Sequence, residues 1–164
     1  MSRGLVLIVD DERDIQGFLS TLVGFFGYTT VTASDGQQAV SVALQRKPDL
    51  VLMDLAMPRM DGFKAIARLK ADPATLDIPI IAFSGLYVDS PVRARLIEAG
   101  CSDFLPKPID TDLLHKSMVM AIEGHKPPAP PKEDSPLEID FDLDREQRRQ
   151  HVTRLIRFFK AKKD

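Results

Sequence analysis

Five polar side chains that can bind a metal ion and a phosphoryl group stand at the ends of short, mostly apolar runs. The runs at 5–9, 50–53, 80–83 and 103–106 lead into Asp10 and Asp11, Asp54, Ser84, and Lys107, respectively. If these runs are parallel strands of one sheet, their carboxyl ends form a single rim, where open α/β sheets bind their ligands. The sequence therefore predicts that three carboxylates, a hydroxyl and an ammonium group meet in one crevice.

These side-chain types favour phosphoryl chemistry assisted by a divalent cation. Carboxylates that lie close together repel one another, so at least one pKa rises unless a cation neutralises them. Mg²⁺ (or Mn²⁺) prefers one or two carboxylates, several waters and phosphate oxygens. Lys107 would add a point charge for a phosphoryl oxygen, and the Ser84 hydroxyl could donate to another. One carboxylate could then act as a nucleophile toward phosphorus.

Five strand patterns alternate with five helix patterns from residue 5 to about residue 123. The predicted strands are Leu5–Val9, Tyr28–Ala33, Leu50–Met53, Ile78–Phe83 and Cys101–Leu105. The first, third and fourth are continuously apolar, as in strands covered on both faces, whereas the second is polar and suits a position nearer an edge. Gly27 is expected to end the first helix, and Asp110 or Thr111 to cap the fifth. The alternation predicts an α/β fold with a doubly wound, five-stranded parallel sheet.

Composition is that of a globular protein with one domain and an appendage. The chain has 164 residues, is 44% hydrophobic and carries a net charge of −2, so it is not a polycation built for nucleic acid. The single cysteine, Cys101, excludes an intramolecular disulfide and is expected to be a small buried residue. The first apolar run is too short for a signal peptide or a membrane span, so we expect a cytoplasmic protein. His115, His125 and His151 lack metal-ligand spacing and are expected on the surface.

A sharp change in composition near Gly124 predicts a domain boundary. The predicted divisions are a domain over 1–124, an extended Pro-rich linker over 125–136, and an acidic segment with a basic amphipathic helix over 137–164. The helix pattern at 144–163 carries an apolar stripe that needs a packing partner. It could dock on the first domain, pair with a second copy or bind a partner protein. Contact with membrane lipid or nucleic acid is less favoured, and high charge leaves disorder open.

Residues 4–123 resemble the receiver domain of two-component response regulators. Four stretches carry the resemblance: IVDDE at 8–12, LMDLAMPRMDG at 52–62, FSG at 83–85 and FLPKP at 104–108. The resemblance implies a flavodoxin-like (βα)5 fold, to which this chain would add its C-terminal helical extension. It also implies that a sensor histidine kinase or a histidine phosphotransfer protein phosphorylates the domain, which then acts on an unidentified downstream protein.

The resemblance also implies a role for each residue of the predicted crevice. Asp54 would be the phosphoacceptor. Asp10, Asp11, Asp54 and the backbone carbonyl of Ala56 would hold Mg²⁺ or Mn²⁺. Lys107 would pair with the phosphoryl oxygens.

Two further residues would form a conformational switch. Ser84, where threonine is also common in the family, would move toward the phosphoryl group while the ring of Phe104 turns inward. That movement would change the surface around the fourth helix, the fifth strand and the fifth helix. Lys107–Pro108 matches the cis peptide of the family.

Two other functions fit the sequence less well. A phosphatase of the haloacid dehalogenase type would carry Asp-x-Asp after the first strand, but Glu12 stands where the second aspartate is needed. A nucleotide-binding domain would need a glycine-rich loop between the first strand and helix, and the sequence has none there. We therefore expect a protein that is not a turnover enzyme. We also expect no DNA-binding output domain, because the roughly forty residues after Gly124 cannot build a helix-turn-helix core.

Overall fold

The computed structural model describes residues 1–57, 59–85 and 90–124. Across these residues, five strands alternate with five helices. In chain order they are β1 (Leu5–Val9), α1 (Arg13–Phe25), β2 (Thr29–Ala33), α2 (Gly36–Arg46), β3 (Leu50–Asp54), α3 (Gly62–Ala71), β4 (Ile80–Ser84), α4 (Ser90–Glu98), β5 (Asp103–Pro106) and α5 (Thr111–Ile122).

The strands form one parallel sheet in the order β2-β1-β3-β4-β5. The predicted fold class is therefore confirmed, as is the position of the polar second strand at an edge. In the register, Val9 pairs with Met53, Asp54 with Phe83, and Ser84 with Pro106. Because all strands run in one direction, their carboxyl ends lie on one rim, with β1, β3 and β4 side by side at its centre.

Each face of the sheet is covered by its own apolar core. On one face, strand residues such as Val51 and Ala82 pack with Ile66 of α3 and Leu96 of α4. On the other face, strand residues such as Ile8 and Leu52 pack with α1 and α5. The three strands at the centre are buried on both faces, which explains why their sequences are continuously apolar rather than alternating. A sheet held on both sides gives the rim residues a rigid base.

Local signals place the helix ends as predicted. Gly27 adopts a φ of 94° just after α1, a backbone conformation that residues other than glycine rarely adopt. Asp110, rather than Thr111, caps α5, since its carboxylate accepts a hydrogen bond from the Leu113 N–H at 2.9 Å. Cys101 is buried, as expected for a small apolar residue.

We predicted that His115 lies on the surface, but its ring is in fact partly buried against another aromatic side chain. Its ring stacks on Phe26 with centroids 4.2 Å apart, so α5 and the chain just beyond α1 are in contact there. Its Nε2 is buried without a hydrogen-bond partner among the described residues. The sequence showed only that this histidine lacks metal-ligand spacing, which does not reveal an aromatic neighbour from a remote helix.

The predicted linker at 125–136 and the predicted tail at 137–164, with its helix at 144–163, lie outside the described residues. Among the residues that are described, no helix is long and apolar enough to span a bilayer.

Candidate functional site

The strand ends place four of the predicted residues on the rim. Asp10 directly follows β1, Asp54 is the last residue of β3, Ser84 is the last residue of β4, and Lys107 directly follows β5. Asp10, Ser84 and Asp54 are only 1%, 3% and 4% exposed. Lys107 is partly exposed, with 22% of its side chain accessible. Buried polar side chains at the end of an apolar sheet need polar partners, and Asp10 and Asp54 have theirs in Lys107.

Lys107 joins the two buried carboxylates across the rim. Its Nζ lies 3.0 Å from Oδ2 of Asp10 and 3.4 Å from Oδ2 of Asp54. Lys107 and Asp10 are 97 positions apart in the chain, so only the sheet topology brings them together. The predicted convergence of acid, acid and amine is therefore present in the geometry. Two carboxylates share one ammonium group, so the buried cluster has excess negative charge.

Burial and charge shift the pKa values of these three groups. Desolvation raises the pKa of Asp54 to about 6, although Lys107 opposes the shift, and the nearby Asp10 charge raises it further. Desolvation likewise raises the pKa of Asp10 against the opposing effect of Lys107. Burial alone would lower the pKa of Lys107, but its ion pairs with Asp10 and Asp54 raise it overall. Lys107 therefore stays charged, but its single positive charge does not neutralise both carboxylates.

The backbone around Asp54 fixes the direction of its carboxylate. The Ala56 N–H donates to Oδ1 of Asp54 at 3.2 Å, which leaves Oδ2 toward Lys107. The Leu55 N–H donates to the carbonyl of Phe83 at 3.0 Å, and the Gly62 N–H to that of Leu55 at 3.1 Å. A Cβ on Gly62 would collide with the Asp54 carbonyl oxygen, so the start of α3 packs directly on the end of β3. Glycine is needed at this position for that close approach.

Gln16 supports Asp10 and was missed by the sequence analysis. Its Nε2 donates to the carbonyl of Asp10 at 2.6 Å and to that of Ala33 at 3.1 Å, tying together the ends of β1 and β2. The Asp10 carboxylate in turn accepts from the Glu12 N–H at 2.9 Å. Helical periodicity drew attention to the apolar positions of α1, and nothing in that pattern marks a polar side chain between them as a support.

An acidic group beside Lys107 suits a hard divalent cation. Carboxylate oxygens of Asp10, Asp11 and Glu12 lie within 4.8 Å of one another. The predicted ligands Asp10 and Asp11 are thus neighbours, and Glu12, which we had not assigned as a ligand, joins them. Oxygen ligands and uncompensated negative charge match the preferences of Mg²⁺ and Mn²⁺. The donor set on this rim therefore fits such a cation.

The two predicted switch residues occupy buried positions on neighbouring strands. The carbonyl of Ser84 accepts from the Lys107 N–H at 2.8 Å, so the ends of β4 and β5 are joined. Phe104 is 7% exposed and belongs to the core on the α3–α4 face. Its ring therefore lies inward. The Lys107–Pro108 peptide is cis, as expected.

Comparison with known proteins gives a consistent result. Residues 6–119 match the response regulator receiver domain family. A probable transcriptional regulator, ycf27, of Guillardia theta is 40% identical over 103 residues, covering 63% of this chain and 39% of that protein. Response regulator MprA of a Mycobacterium species is 32% identical over 149 residues, covering 91% of this chain and 63% of the relative. The chain thus spans less than two thirds of the length of these relatives.

Solved structures resemble about three quarters of this chain. The receiver domain of the Francisella response regulator 1452 superposes with a TM-score of 0.69 at 25% identity, covering 74% of this chain and 98% of that one. An N-terminal receiver structure from Methanoculleus marisnigri has a TM-score of 0.62 at 31% identity, covering 75% and 96% of the two chains.

Proposed function

This chain belongs to the response regulator receiver domain family, and we propose that Asp54 is the residue that accepts the phosphoryl group. The observation that carries this assignment is the position of Lys107, whose Nζ lies 3.0 Å from Asp10 and 3.4 Å from Asp54. The carboxylate of Asp54 stands at the centre of the rim, held on one oxygen by the Ala56 N–H. A nucleophile fixed in this way needs little reorganisation before it attacks phosphorus.

Asp10, Asp11 and the carbonyl of Ala56 would hold Mg²⁺ or Mn²⁺ together with Asp54, and Glu12 lies close enough to contribute. A bound divalent cation would supply neutralising charge for the carboxylates and for the phosphoryl oxygens. Lys107 would then exchange part of its contact with Asp54 for a contact with a phosphoryl oxygen. Because its ammonium group is already in place, that charge stabilises the transferring group without a large movement.

Asp54 must be ionised to act as a nucleophile. With a pKa of about 6, it is ionised in about nine molecules of ten at pH 7 even without a cation. Its Oδ atom forms the new bond to phosphorus as the bond from phosphorus to the donor imidazole breaks. A donor ring that carries a proton on its second nitrogen leaves as neutral imidazole, and one that lacks it leaves as imidazolate, which takes a proton from water. The product is an acyl phosphate on the protein, with no turnover of a released substrate.

The donor would be a sensor histidine kinase or a histidine phosphotransfer protein. Ser84 and Phe104 would then relay the phosphorylated state to the surface of α4, β5 and α5, where a downstream protein or a second copy binds. The domain would catalyse its own phosphorylation and dephosphorylation without being a turnover enzyme. A cytoplasmic location and the division at residue 124 remain predictions.

Labelling with acetyl phosphate tests the assignment of Asp54. We expect stoichiometric, base-labile labelling of the wild type in Mg²⁺, none after EDTA, and none in Asp54→Ala. Asp112→Ala, which changes an exposed carboxylate on α5, is the matched control and should label normally. Stoichiometric labelling of Asp54→Ala would refute the assignment. Repeated hydrolysis of p-nitrophenyl phosphate by the wild type would instead favour a phosphatase.

A further inference from the structure

Arg59, in the connection between β3 and α3, has an unusual backbone conformation. Its φ is +66°, and the other described non-glycine residue with positive φ is Lys47, the C-cap of α2. A side chain in this left-handed region costs about 1–2 kcal/mol relative to the right-handed one, and glycine avoids that cost. The Arg59 side chain is therefore expected to make a contact that glycine could not make.

The arginine side chain reaches across to the start of α2. Its guanidinium donates to Oδ2 of Asp35 at 2.9 Å. Asp35 is 7% exposed, and its other oxygen caps α2 by accepting from the Gln38 N–H at 2.8 Å. That hydrogen bond, supported by Arg59, outweighs desolvation and lowers the pKa of Asp35. The arginine thus binds a carboxylate whose position is already fixed.

A second contact holds the same connection against α2. The Gly36 N–H donates to the carbonyl of Met60 at 3.2 Å. A Cβ on Gly36 would lie 2.7 Å from that carbonyl oxygen, so the two backbones touch directly. Arg59 and Met60 are therefore both attached to the first turn of α2.

The other end of this connection is the site itself. Ala56, three positions before Arg59, donates its N–H to the Asp54 carboxylate, and its carbonyl is the proposed backbone ligand for the cation. Movement of the connection away from α2 would shift both groups. The Arg59 side chain is 79% exposed, so its ion pair alone stabilises the fold only weakly. Its strained backbone is better explained by placement of the connection than by overall stability.

We infer that Arg59 is a positioning residue, whose ion pair with Asp35 holds the β3–α3 connection on α2 and thereby places the Ala56 backbone beside Asp54. This inference rests on the proposed function, because it assigns Arg59 a part in the phosphorylation of Asp54. It concerns the rate of phosphorylation and the apparent affinity for Mg²⁺, and it does not require Arg59 to touch the phosphoryl group.

Arg59→Gly separates positioning from stability. Glycine relieves the positive-φ strain, so the free energy of unfolding should stay equal or rise, while the loss of the ion pair frees the connection. We expect the rate of labelling by acetyl phosphate to fall about two- to five-fold and the half-saturating Mg²⁺ concentration to rise by a similar factor, the range expected for one ion pair with an exposed partner. Arg59→Lys, which keeps a cation, should recover part of the loss.

Two further variants complete the design. Asp35→Asn keeps an oxygen to cap α2 but loses the charge, so it should lower the rate as Arg59→Gly does, and the double variant should be no slower than either. Lys47→Gly relieves the same kind of strain away from the site, so it should gain stability with no change in rate.

Each outcome bears on one claim. Wild-type rates and Mg²⁺ dependence in Arg59→Gly, or additive losses in the double variant, would overturn the inference about Arg59. Rates that follow the free energy of unfolding across all variants would overturn it too, because they would indicate a merely structural role. Absence of labelling on Asp54 in the wild type would refute the proposed function instead.

Discussion

Asp54→Asn should stabilise the protein in the absence of divalent cations, and more so as pH rises. The Asp54 carboxyl has a folded-state pKa of about 6, above the ordinary value of 3.8. The folded state therefore holds this proton more tightly than the unfolded state does. The associated stability is complete below the ordinary pKa and is lost as pH rises through about 6. Asparagine has a similar shape and does not ionise, so it escapes this loss.

The size of the effect follows from the two pKa values. A shift from 3.8 to about 6 corresponds to about 3 kcal/mol once pH is well above 6, because each unit is worth about 1.4 kcal/mol. By pH 5 roughly half of that stability has already been lost. Between pH 5 and pH 7.5, the wild type should thus lose about 1.4 kcal/mol more free energy of unfolding than Asp54→Asn.

Urea denaturation at pH 5 and pH 7.5 in EDTA measures this difference. Asp112→Asn, which removes an exposed carboxylate on α5, is the matched control for the loss of one negative charge. Saturating Mg²⁺ should stabilise the wild type at pH 7.5 and reduce its pH dependence, since a cation bound to the ionised site favours the folded state. If the stabilities of Asp54→Asn and the wild type change in parallel between the two pH values, the Asp54 carboxyl does not have the raised pKa described above.

Three other changes test the supports of the site. Lys107→Met removes the cation shared by both carboxylates, so the pKa of Asp54 should rise beyond about 6 in a carboxyl NMR titration, and an unchanged titration would contradict the ion pair. Gly62→Ala should destabilise the protein and slow labelling, because the new Cβ would collide with the Asp54 backbone. Gly17→Ala on α1 is its control: the new Cβ meets no atom within 4 Å, so urea denaturation should show a stabilisation of about 0.5–1 kcal/mol. Gln16→Ala leaves two carbonyls without their side-chain donor and should cost about 1–2 kcal/mol of unfolding free energy, with slower labelling; equal stability would show that Gln16 is dispensable.

The order and type of the strands and helices could be predicted because each strand has its own local signal. Central strands were visible as continuous apolar runs, and β2 was recognisable as an edge strand by its polar residues. The boundaries were less certain: Asp54 and Ser84 are the last residues of their strands, whereas we had placed both just beyond. Hydrophobicity cannot mark such an end, since a polar residue that continues the ladder looks like the start of a loop.

Convergence on the rim could be predicted from topology, but the supporting contacts could not. Asp10, Asp54 and Lys107 were identifiable because each stands at a strand end, where parallel strands meet. Gln16 and Arg59 lack any such marker. The role of Gln16 depends on two backbone carbonyls, and that of Arg59 on a left-handed backbone and a remote carboxylate. Neither feature is encoded in spacing or hydrophobic pattern.

The most direct test of the account is chemical identification of the phosphorylated residue. The wild type would be treated with acetyl phosphate and Mg²⁺, reduced with borohydride, digested and sequenced by mass spectrometry. We predict that position 54 alone is converted to homoserine, and that omission of Mg²⁺ prevents the conversion. Conversion at Asp10 or Asp11, or a modified histidine with position 54 intact, would contradict the central claim.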